Sequence, residues 1–255
     1  MDFDNFKKWV RREFGIDLTA YKENQLHRRI LSLMSRIGID SLDEYIELLK
    51  KDKMQRQKFL DFITINVTEF FRNPDIFNDF EKLLKNNYLN QSKSLKIWSA
   101  ACSIGAEPYS ISMILDDLSH GMNHKILATD IDNTILQRAK QGIYTYNEVK
   151  NVKKTYLNKY FNIKDDKYVI DDKIKRNVTF KKHDLILDEY EKGFDIIICR
   201  NVVIYFNQDV KEKIYRKFSD SLKKGGLLFV GATESIYNYK EYGFEKASTF
   251  MYKKL

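Results

Sequence analysis

Two stretches of the sequence decide the fold: residues 97–110, Ile-Trp-Ser-Ala-Ala-Cys-Ser-Ile-Gly-Ala-Glu-Pro-Tyr-Ser, and residues 126–132, Ile-Leu-Ala-Thr-Asp-Ile-Asp. The first predicts a strand, a tight turn of small residues and a helix that begins near Glu107-Pro108. Small residues let the backbone approach a ligand, and the first turn of the helix presents free N–H groups there. The second predicts a strand that ends at Asp130, where a carboxylate is placed to accept the hydroxyls of a ribose. The pattern indicates a nucleoside site; an ordinary α/β crossover with small residues for packing is the alternative.

The turn before the helix indicates which nucleoside is bound. A dinucleotide fold needs G-x-G-x-x-G so that the backbone can hold a pyrophosphate, whereas this turn has Gly105 with Ala101, Ser103 and Ala106 around it. Glu107, at the start of the helix, repels phosphate and attracts an ammonium group. S-adenosylmethionine carries an ammonium, a carboxylate, a sulfonium and a ribose, and no phosphate. The turn therefore favours S-adenosylmethionine over a dinucleotide.

The composition excludes several classes of protein. The chain has 255 residues, 43% of them hydrophobic, which is enough for one core and a small satellite domain. No stretch approaches the roughly 18 apolar residues of a membrane span, and the first residues lack the pattern of a secretory signal, so we expect a cytoplasmic protein. Cys102 and Cys199 stand in apolar strand-end contexts, which indicates buried thiols and not a disulfide or metal pair. The four histidines include one H-x-x-x-H pair with no third ligand nearby, so no metal site is expected.

The net charge of +8 is concentrated in one segment. Residues 140–182 contain twelve lysines and arginines against five acidic residues. Aromatic side chains lie among these lysines: Tyr156, Tyr160, Phe161 and Tyr168. Such a segment can face nucleic acid, a membrane surface or an acidic protein. The pattern favours a solvated amphipathic helix whose aromatic side chains point inward over such a binding surface.

The first 65 residues predict helices only. Apolar residues recur at helical spacing at Leu26, Ile30, Leu33 and Ile37. Basic residues recur every seven positions beside them, at Lys22, Arg29 and Arg36. The basic stripe is a candidate docking face for an acidic partner, or else the solvated flank of a core helix.

The rest of the chain alternates strands and helices, which predicts a mostly parallel, doubly wound sheet. Asn73-Pro74 predicts the start of a linker helix. Strands are expected near 95–101, 125–130, 178–183, 194–199 and 226–232, and helices near 107–118, 133–141 and 208–222. Lys224-Gly225-Gly226 predicts the end of the last helix, and residues 244–252 predict a terminal antiparallel hairpin. Short alternating pieces between 160 and 180 predict a small antiparallel insert.

Five motifs, in order and at compatible spacing, carry a family resemblance. They are Asn66-Val-Thr-Glu-Phe-Phe-Arg72, Trp98 to Ser110, Thr129-Asp130-Ile131-Asp132, His183-Asp184-Leu185, and Cys199-Arg200-Asn201-Val-Val-Ile-Tyr205-Phe206. Together they resemble the motif set of the CheR family of chemotaxis receptor methyltransferases, over nearly the whole chain. Two positions depart from the family pattern, since Ala101 stands where the family often has Gly and Ala106 where it often has Glu. These departures affect details of the turn and leave Glu107 in place.

The resemblance implies a fold and its parts. We expect an α/β, Rossmann-like class I methyltransferase sheet, mostly parallel with an antiparallel last strand, a small N-terminal all-helical domain and a small antiparallel β insert. The expected regions are a helical domain over 1–65, a linker helix over 66–90, and a methyltransferase domain over 91–255 with its insert at about 160–180.

The resemblance also implies an activity and partners. S-adenosylmethionine is the expected methyl donor, S-adenosylhomocysteine the product, and glutamate side chains of chemoreceptor cytoplasmic domains the acceptors. A monomer is expected, with no nucleic-acid partner and no insertion into the membrane.

Roles are implied residue by residue. Cofactor contacts are expected from Asn66, Thr68, Arg72, Glu107, Asp130, Asp184, Leu185, Arg200, Asn201 and Val202. Within this set Glu107 is expected to bind the methionine portion, Asp130 the ribose, and Asp184 with Leu185 the adenine. Arg200-Asn201 is expected to line the floor near the transferring methyl. Arg72 and Tyr205 are the expected catalytic residues, as orienting groups and not as acid or base.

Two other functions remain open on the sequence. A nucleic-acid methyltransferase is suggested by the basic segment 140–182, although the Asn/Asp-Pro-Pro-Tyr type of motif that holds a flipped base is absent and Cys199-Arg200-Asn201-Val202 stands at the corresponding strand end. The second is a non-catalytic docking module, in which the nucleoside pocket is part of the fold but has no catalytic role.

Overall fold

The computed structural model describes residues 2–64, 68–89 and 94–255. They form two compact units, the first comprising residues 2–64 with 205–213 and the second residues 68–204 with 214–255. No described helix is both long and apolar enough to cross a membrane.

The first unit is helical, as predicted. Its helices are α1 (Phe3–Phe14), α2 (Glu23–Ser35), α3 (Leu42–Lys51) and α4 (Lys53–Thr64), with a short 3₁₀ turn at Leu18–Ala20. Three buried rings pack together at its centre, Phe6, Tyr45 and Phe59, with centroids 6.0 to 6.3 Å apart. The segment 205–213 joins this unit through backbone hydrogen bonds from the Lys22 N–H to the Tyr205 carbonyl and from the Asn207 N–H to the Ala20 carbonyl, both 2.9 Å.

Helix α2 corrects the predicted basic stripe. Leu26 and Ile30 are buried in the unit, as the apolar spacing predicts. The guanidinium of Arg29, however, lies 4.5 Å from the Phe62 ring centre and donates to the Phe62 carbonyl. Arg29 is thus partly buried between helices, whereas Arg28 and Arg36 are exposed.

The second unit is the predicted α/β sheet. Its helices are α5 (Pro74–Asn87), α6 (Ala106–Leu118), α7 (Asn133–Gln141), α8 (Tyr146–Val149), α9 (Lys154–Tyr160), α10 (Asp172–Lys175) and α11 (Gln208–Ser221), the last of which begins within the segment 205–213. The main-sheet strands are β1 (Lys96–Ala100), β2 (Lys125–Asp130), β6 (Val178–Lys182), β7 (Phe194–Cys199), β8 (Leu222–Val230), β9 (Phe244–Ser248) and β10 (Met251–Lys254). The small-sheet strands are β3 (Ile143–Tyr144), β4 (Phe161–Lys164) and β5 (Lys167–Ile170).

The main sheet has the order β6-β2-β1-β7-β8-β10-β9. The pairs β6-β2, β2-β1, β1-β7 and β7-β8 are parallel, and β10 pairs antiparallel with both β8 and β9. Trp98 of β1 lies opposite Leu127 and Ile197 at the buried centre. Because parallel strands end at the same edge, the chain segments that follow β1, β2, β6 and β7 are brought together there.

Two local expectations differ from the structure. Helix α11 ends at Ser221, and Gly225 lies inside β8 with φ +76°, so the glycine pair sits in a strand and does not end the helix. The small sheet has the order β3-β5-β4 and includes Ile143–Tyr144, which lies before the predicted insert. The last part of the predicted insert, residues 174–180, instead contains the end of α10 and the start of β6, which belongs to the main sheet.

Candidate active site

The turn after β1 is held in a conformation that glycine tolerates best. Gly105 has φ +83°, and a Cβ built there lies 3.1 Å from the Ala139 Cβ and 3.2 Å from Phe180 and Tyr109 ring atoms. Ala101 and Ser103 also have positive φ, at +63° and +49°. Left-handed backbone costs an L-residue about 1 to 2 kcal/mol. The family's frequent Gly at position 101 thus has a physical reason, and Ala101 adopts the same conformation at a cost.

Asp130 ties this turn to the end of β2. Its Oδ2 accepts from the Ser103 N–H at 2.8 Å, and its Oδ1 accepts from the Asp132 N–H at 3.1 Å. Burial raises the pKa of Asp130 to about 6, against the lowering effect of the backbone hydrogen bonds. The Ile131 backbone is a third hydrogen-bonding neighbour of this carboxylate. Since a carboxylate has about four lone-pair sites, one site remains for a ligand hydroxyl.

Glu107 and Arg200 form an ion pair between the start of α6 and the end of β7. The Arg200 Nη1 lies 3.6 Å from the Glu107 Oε2, and the Ser99 hydroxyl donates to the Glu107 Oε1 at 2.8 Å. Burial raises the pKa of Glu107, and Arg200 lowers it. The guanidinium lies 4.9 Å from the ring centres of Phe77 and Phe229, which cover it. Glu107 is therefore paired within the protein and not a free carboxylate.

Arg200 also holds the segment before α5. Its Nη2 donates to the Arg72 carbonyl at 2.7 Å and to the Asn73 Oδ1 at 3.1 Å. Asn73 precedes the predicted helix with φ +63°, and its side chain makes no capping hydrogen bond to the helix. The Asn73 amide is thus directed to Arg200, and the guanidinium fixes residues 72 and 73 over the end of β7.

Two phenylalanines hold the rest of the segment 68–73 against the unit. The Phe70 ring packs edge-on against Tyr144 at 4.7 Å and Phe161 at 5.4 Å, and its N–H donates to the Glu148 carbonyl. The Phe71 N–H donates to the Ser110 hydroxyl at 3.1 Å. The segment that carries Thr68 and Arg72 is therefore positioned by side chains of the small sheet and of α6.

Tyr144 connects three of these parts. The residue belongs to β3, its ring contacts Phe70, and its hydroxyl donates to the Ile104 carbonyl in the turn after β1 at 2.9 Å. Its side chain is fully buried. The small sheet thereby supports both the turn and the segment 68–73.

Asp184 shapes the chain that follows β6. Its Oδ1 accepts from the N–H groups of Ile186 and Leu187 at 2.7 and 3.2 Å, as expected of a turn residue. Its Oδ2 is buried and has no hydrogen-bond partner. Leu185 is buried beside it, and the Tyr190 hydroxyl donates to the Leu185 carbonyl at 2.6 Å.

Glu234 is a residue that the sequence did not point to. Its Oε2 accepts from the N–H groups of Asn201 at 2.5 Å and Gly231 at 2.8 Å, and its Oε1 accepts from the Val202 N–H at 2.9 Å. Burial raises its pKa, and the backbone hydrogen bonds oppose that shift. The sequence signal for this residue is the segment Gly231-Ala-Thr-Glu234, which directly follows a buried strand.

The structure brings most of the predicted site residues to one edge of one unit. Contacts within the described residues join Arg72, Glu107, Asp130, Arg200, Asn201 and Val202 to the turn and the strand ends. Thr68 is half-buried in the same segment as Arg72. Asn66 lies outside the described residues. Tyr205 belongs to the helical unit, where the Arg29 guanidinium carbon lies 5.9 Å from its ring centre.

The residues of this edge fit S-adenosylmethionine. Among the described residues of the α/β unit, four acids are buried, Asp130, Asp132, Asp184 and Glu234, against one buried arginine, Arg200. In the part of this unit that the structure describes, two buried side-chain oxygens have no hydrogen-bond partner, the Ser103 Oγ and the Asp184 Oδ2, and they are available to a ligand. An excess of buried negative charge suits a ligand with sulfonium and ammonium groups and opposes a pyrophosphate.

Comparison with known proteins agrees with this reading. The family described as CheR methyltransferase, SAM binding domain, matches residues 66–251, and that described as CheR methyltransferase, all-alpha domain, matches residues 1–64. A chemotaxis protein methyltransferase of Listeria monocytogenes is 41% identical over 99% of this chain and 97% of its own length. The one of Escherichia coli is 32% identical over 92% of this chain and 84% of its own length.

A solved structure is similar more loosely. A TehB-like SAM-dependent methyltransferase from Corynebacterium glutamicum covers 71% of this chain and 95% of its own, at 15% identity and a TM-score of 0.39. The family matches span nearly the whole sequence and confirm the predicted family and its cofactor. This chain belongs to the CheR family and is an S-adenosylmethionine-dependent methyltransferase of chemotaxis.

Proposed function

We propose that this enzyme methylates glutamate side chains in the cytoplasmic domains of chemoreceptors and forms glutamyl methyl esters. The observation that carries the proposal is the joining of the segment 68–73, the turn after β1 and the end of β7 through Arg200 and Asp130, in a chain of the CheR family. The names of the relatives, chemotaxis protein methyltransferase, support an acceptor in the chemotaxis system.

The proposed cofactor contacts come from the chain segments that follow β1, β2, β6 and β7. Asp130 accepts the ribose hydroxyls, Asp184 and Leu185 flank the adenine, and Glu107 with Arg200 binds the methionine portion, the guanidinium facing its carboxylate and the glutamate its ammonium. The remaining contacts come from Asn66, Thr68, Arg72, Asn201 and Val202. Since Glu107 and Arg200 are already paired at 3.6 Å, this end of the site is arranged in advance for a zwitterion.

The proposed chemistry needs orientation more than acid–base catalysis. Bound S-adenosylmethionine supplies a sulfonium methyl group as the electrophile. A glutamate acceptor has an ordinary pKa of about 4.3 and is therefore an anion at neutral pH, so no general base has to remove a proton. Arg72 and Tyr205 orient the reacting groups, and alignment of this kind is worth several kcal/mol. Attack neutralises two opposite charges, so exclusion of water at the buried edge favours the reaction.

The observation that suggested a nucleic-acid substrate is weakened by the structure. Lysines of the basic segment pair with acids of the same unit, including Lys159 with Asp117 at 2.8 Å and Lys173 with Asp116 at 2.7 Å. Of the four aromatic residues singled out among its lysines, three are buried, Tyr156, Tyr160 and Phe161. The segment therefore behaves as a solvated flank with its aromatic rings inward, and a receptor acceptor is favoured.

The proposal is tested by methyl transfer to defined acceptors. Tritiated S-adenosylmethionine is supplied with membranes containing chemoreceptors, with the same receptors carrying glutamine at the methylation region, or with RNA. We expect incorporation into the first alone, released as methanol in mild alkali, because esters hydrolyse there and N-methyl groups do not. Alkali-stable incorporation, or labelling of RNA, would overturn the proposal. Cofactor binding with no incorporation into any acceptor would support a docking module.

A further inference from the structure

One buried carboxylate joins the ends of β7 and β8. Glu234 is 4% exposed and accepts backbone hydrogen bonds from Asn201 and Val202 after β7 and from Gly231 after β8. The Ile204 backbone is a further hydrogen-bonding neighbour of the carboxylate. Its own N–H donates to the Gly231 carbonyl at 3.0 Å, which closes the turn that carries it. Glu234 thus binds a loop from another part of the sequence and its own turn at once.

The backbone of the loop and of the turn approaches the Glu234 carboxylate so closely that position 231 has no space for a side chain. Asn201 has φ +61°, which turns the chain out of the strand direction. A Cβ at Gly231 would lie 2.5 Å from the Glu234 Oε2 and 2.9 Å from the Asn201 nitrogen, so only glycine allows this approach. Without the carboxylate, the N–H groups of Asn201, Val202 and Gly231 would lose their acceptor at positions that are shielded from water, which is unfavourable.

The bound amides belong to the part of the chain that lines the active-site edge. Arg200, the residue before them, reaches Glu107 on one side and the Arg72 carbonyl on the other. The path of residues 200–202 is therefore fixed by Arg200 through its side chain and by Glu234 through the backbone. The carboxylate of Glu234 binds the backbone of this loop. Burial lowers the pKa of Arg200 and raises the pKa of Glu107, and the charge of Glu234 acts to raise both pKa values.

We infer that Glu234 is a positioning residue for methyl transfer, whose carboxylate holds residues 201–204 in the conformation that the cofactor and the reacting groups require. This inference rests on the proposed roles of Asn201 and Val202. Because the loop leads directly to Tyr205 in the sequence, its displacement is expected to affect turnover as well as cofactor affinity. Misplacement by about 1 Å can lower a rate by about 100-fold.

The test compares Glu234→Ala and Glu234→Gln with Glu245→Gln in the full-length chain. Glu245 is an exposed glutamate of β9 paired with Lys253, so its replacement controls for the loss of one charge. Hydrogen exchange of the ligand-free protein, calorimetric binding of S-adenosylhomocysteine, and turnover at saturating cofactor are measured well below the unfolding temperature.

We expect amides 201, 202 and 231 to exchange at least about tenfold faster in Glu234→Ala, while the amides of β7 keep their protection. Product affinity is expected to fall about tenfold, and turnover at saturating cofactor more than affinity. Glu234→Gln keeps the shape of the side chain and two acceptor lone pairs, so smaller changes of the same kind are expected. If Glu234→Ala does not fold, the results with Glu234→Gln test the inference. Glu245→Gln is expected to match the parent.

Three results would overturn the inference. One is parent-like exchange at residues 201 and 202 in either Glu234 variant. Another is normal turnover and affinity despite faster exchange there. The third is a loss of activity that occurs only with loss of protection throughout β7, which indicates unfolding. Exchange and product binding do not involve the acceptor, so failure of the proposed receptor substrate would leave both measurements valid.

Discussion

Arg200 faces Glu107 across 3.6 Å and the Arg72 carbonyl across 2.7 Å, with the Phe77 and Phe229 rings over its guanidinium. One buried side chain therefore connects strand β7 to helix α6 and to the segment before α5. The planar fork of donors makes these contacts possible, and a lysine cannot reproduce them.

Replacement of Arg200 by Met is expected to destabilise the protein by about 3 to 5 kcal/mol, because Glu107 would be left as a buried, unpaired charge. Arg200→Lys keeps the charge but loses the bidentate geometry, so an intermediate loss is expected. Chemical denaturation measures both. Arg176→Met, an exposed position, is the control and should change stability by less than about 0.5 kcal/mol. Equal stability of Arg200→Met and the control would show that the ion pair contributes nothing.

Asp130→Asn is expected to weaken binding of S-adenosylhomocysteine by about 1 to 3 kcal/mol, because charged hydrogen bonds to the ribose are lost. Titration calorimetry measures the change. Asp172→Asn provides the control, since that carboxylate is exposed on α10 and far along the sequence from the turn. Unchanged affinity in Asp130→Asn would remove the ribose assignment and leave Asp130 as a support of the Ser103 N–H alone.

Asp130 also predicts a pH dependence of stability. Its folded pKa of about 6 lies above the usual value of about 3.9, so the folded protein binds the proton more tightly than the unfolded chain. The stability contributed by protonation is fully present below about pH 4 and is lost as pH rises through about 6. Relative to Asp130→Asn, the parent should therefore lose about 2 to 3 kcal/mol between pH 4 and pH 7. Parallel curves of unfolding free energy against pH would contradict the prediction.

The sequence predicts most helices and strands of the α/β unit, because the spacing of apolar residues along a short segment reflects which side of that segment is buried. Two strands, for example, are predicted by the apolar runs at 97–100 and 126–129, and the structure has β1 and β2 there. The same pattern predicts that Asp130 stands at the end of the second strand. Glu234 could not be predicted in this way, since its partners Asn201 and Val202 lie 33 and 32 residues away and meet it only once β7 and β8 pair. The two-residue strand β3 likewise cannot be predicted from the sequence, because so short a strand shows no alternation of apolar and polar residues.

Arg29 shows the same limit on a helix. Its seven-residue spacing from Lys22 and Arg36 indicates a surface stripe, yet Phe62 of another helix covers its guanidinium. Heptad spacing defines a face of α2 but does not say which neighbour packs on that face.

Ala101→Gly is expected to leave stability unchanged or to raise it by up to about 1 kcal/mol, because relief of the left-handed conformation exceeds the added entropy of the unfolded chain. Ala247→Gly in β9 is the control, where φ is not positive, and it should cost about 0.5 to 1 kcal/mol. Thermal unfolding compares the two. A greater loss at position 101 than at 247 would mean that the Ala101 methyl group packs favourably in the turn.

Charge reversal at Arg28 and Arg36 is expected to raise the Michaelis constant for receptor several-fold at low salt and to leave cofactor affinity unchanged. Both are exposed on or next to α2, unlike Arg29, whose reversal should unfold the helical unit. Lys51→Glu, exposed at the end of α3, is the matched control in the same unit. Equal receptor kinetics for the double variant and the control would identify these arginines as a solvated flank.

The small sheet has an inner half around Tyr144 and an outer half, and the two halves differ in how many substitutions they can tolerate. Its inner half, Tyr144 with Phe161 and Ile170, is buried and supports Phe70 and the Ile104 carbonyl, so a graft of a foreign insert would have to preserve an aromatic hydroxyl at 144. The hairpin end at residues 162–167 is exposed and makes no such contact. New recognition can therefore arise at that end by substitution or lengthening, while the candidate active-site edge of the same unit stays intact.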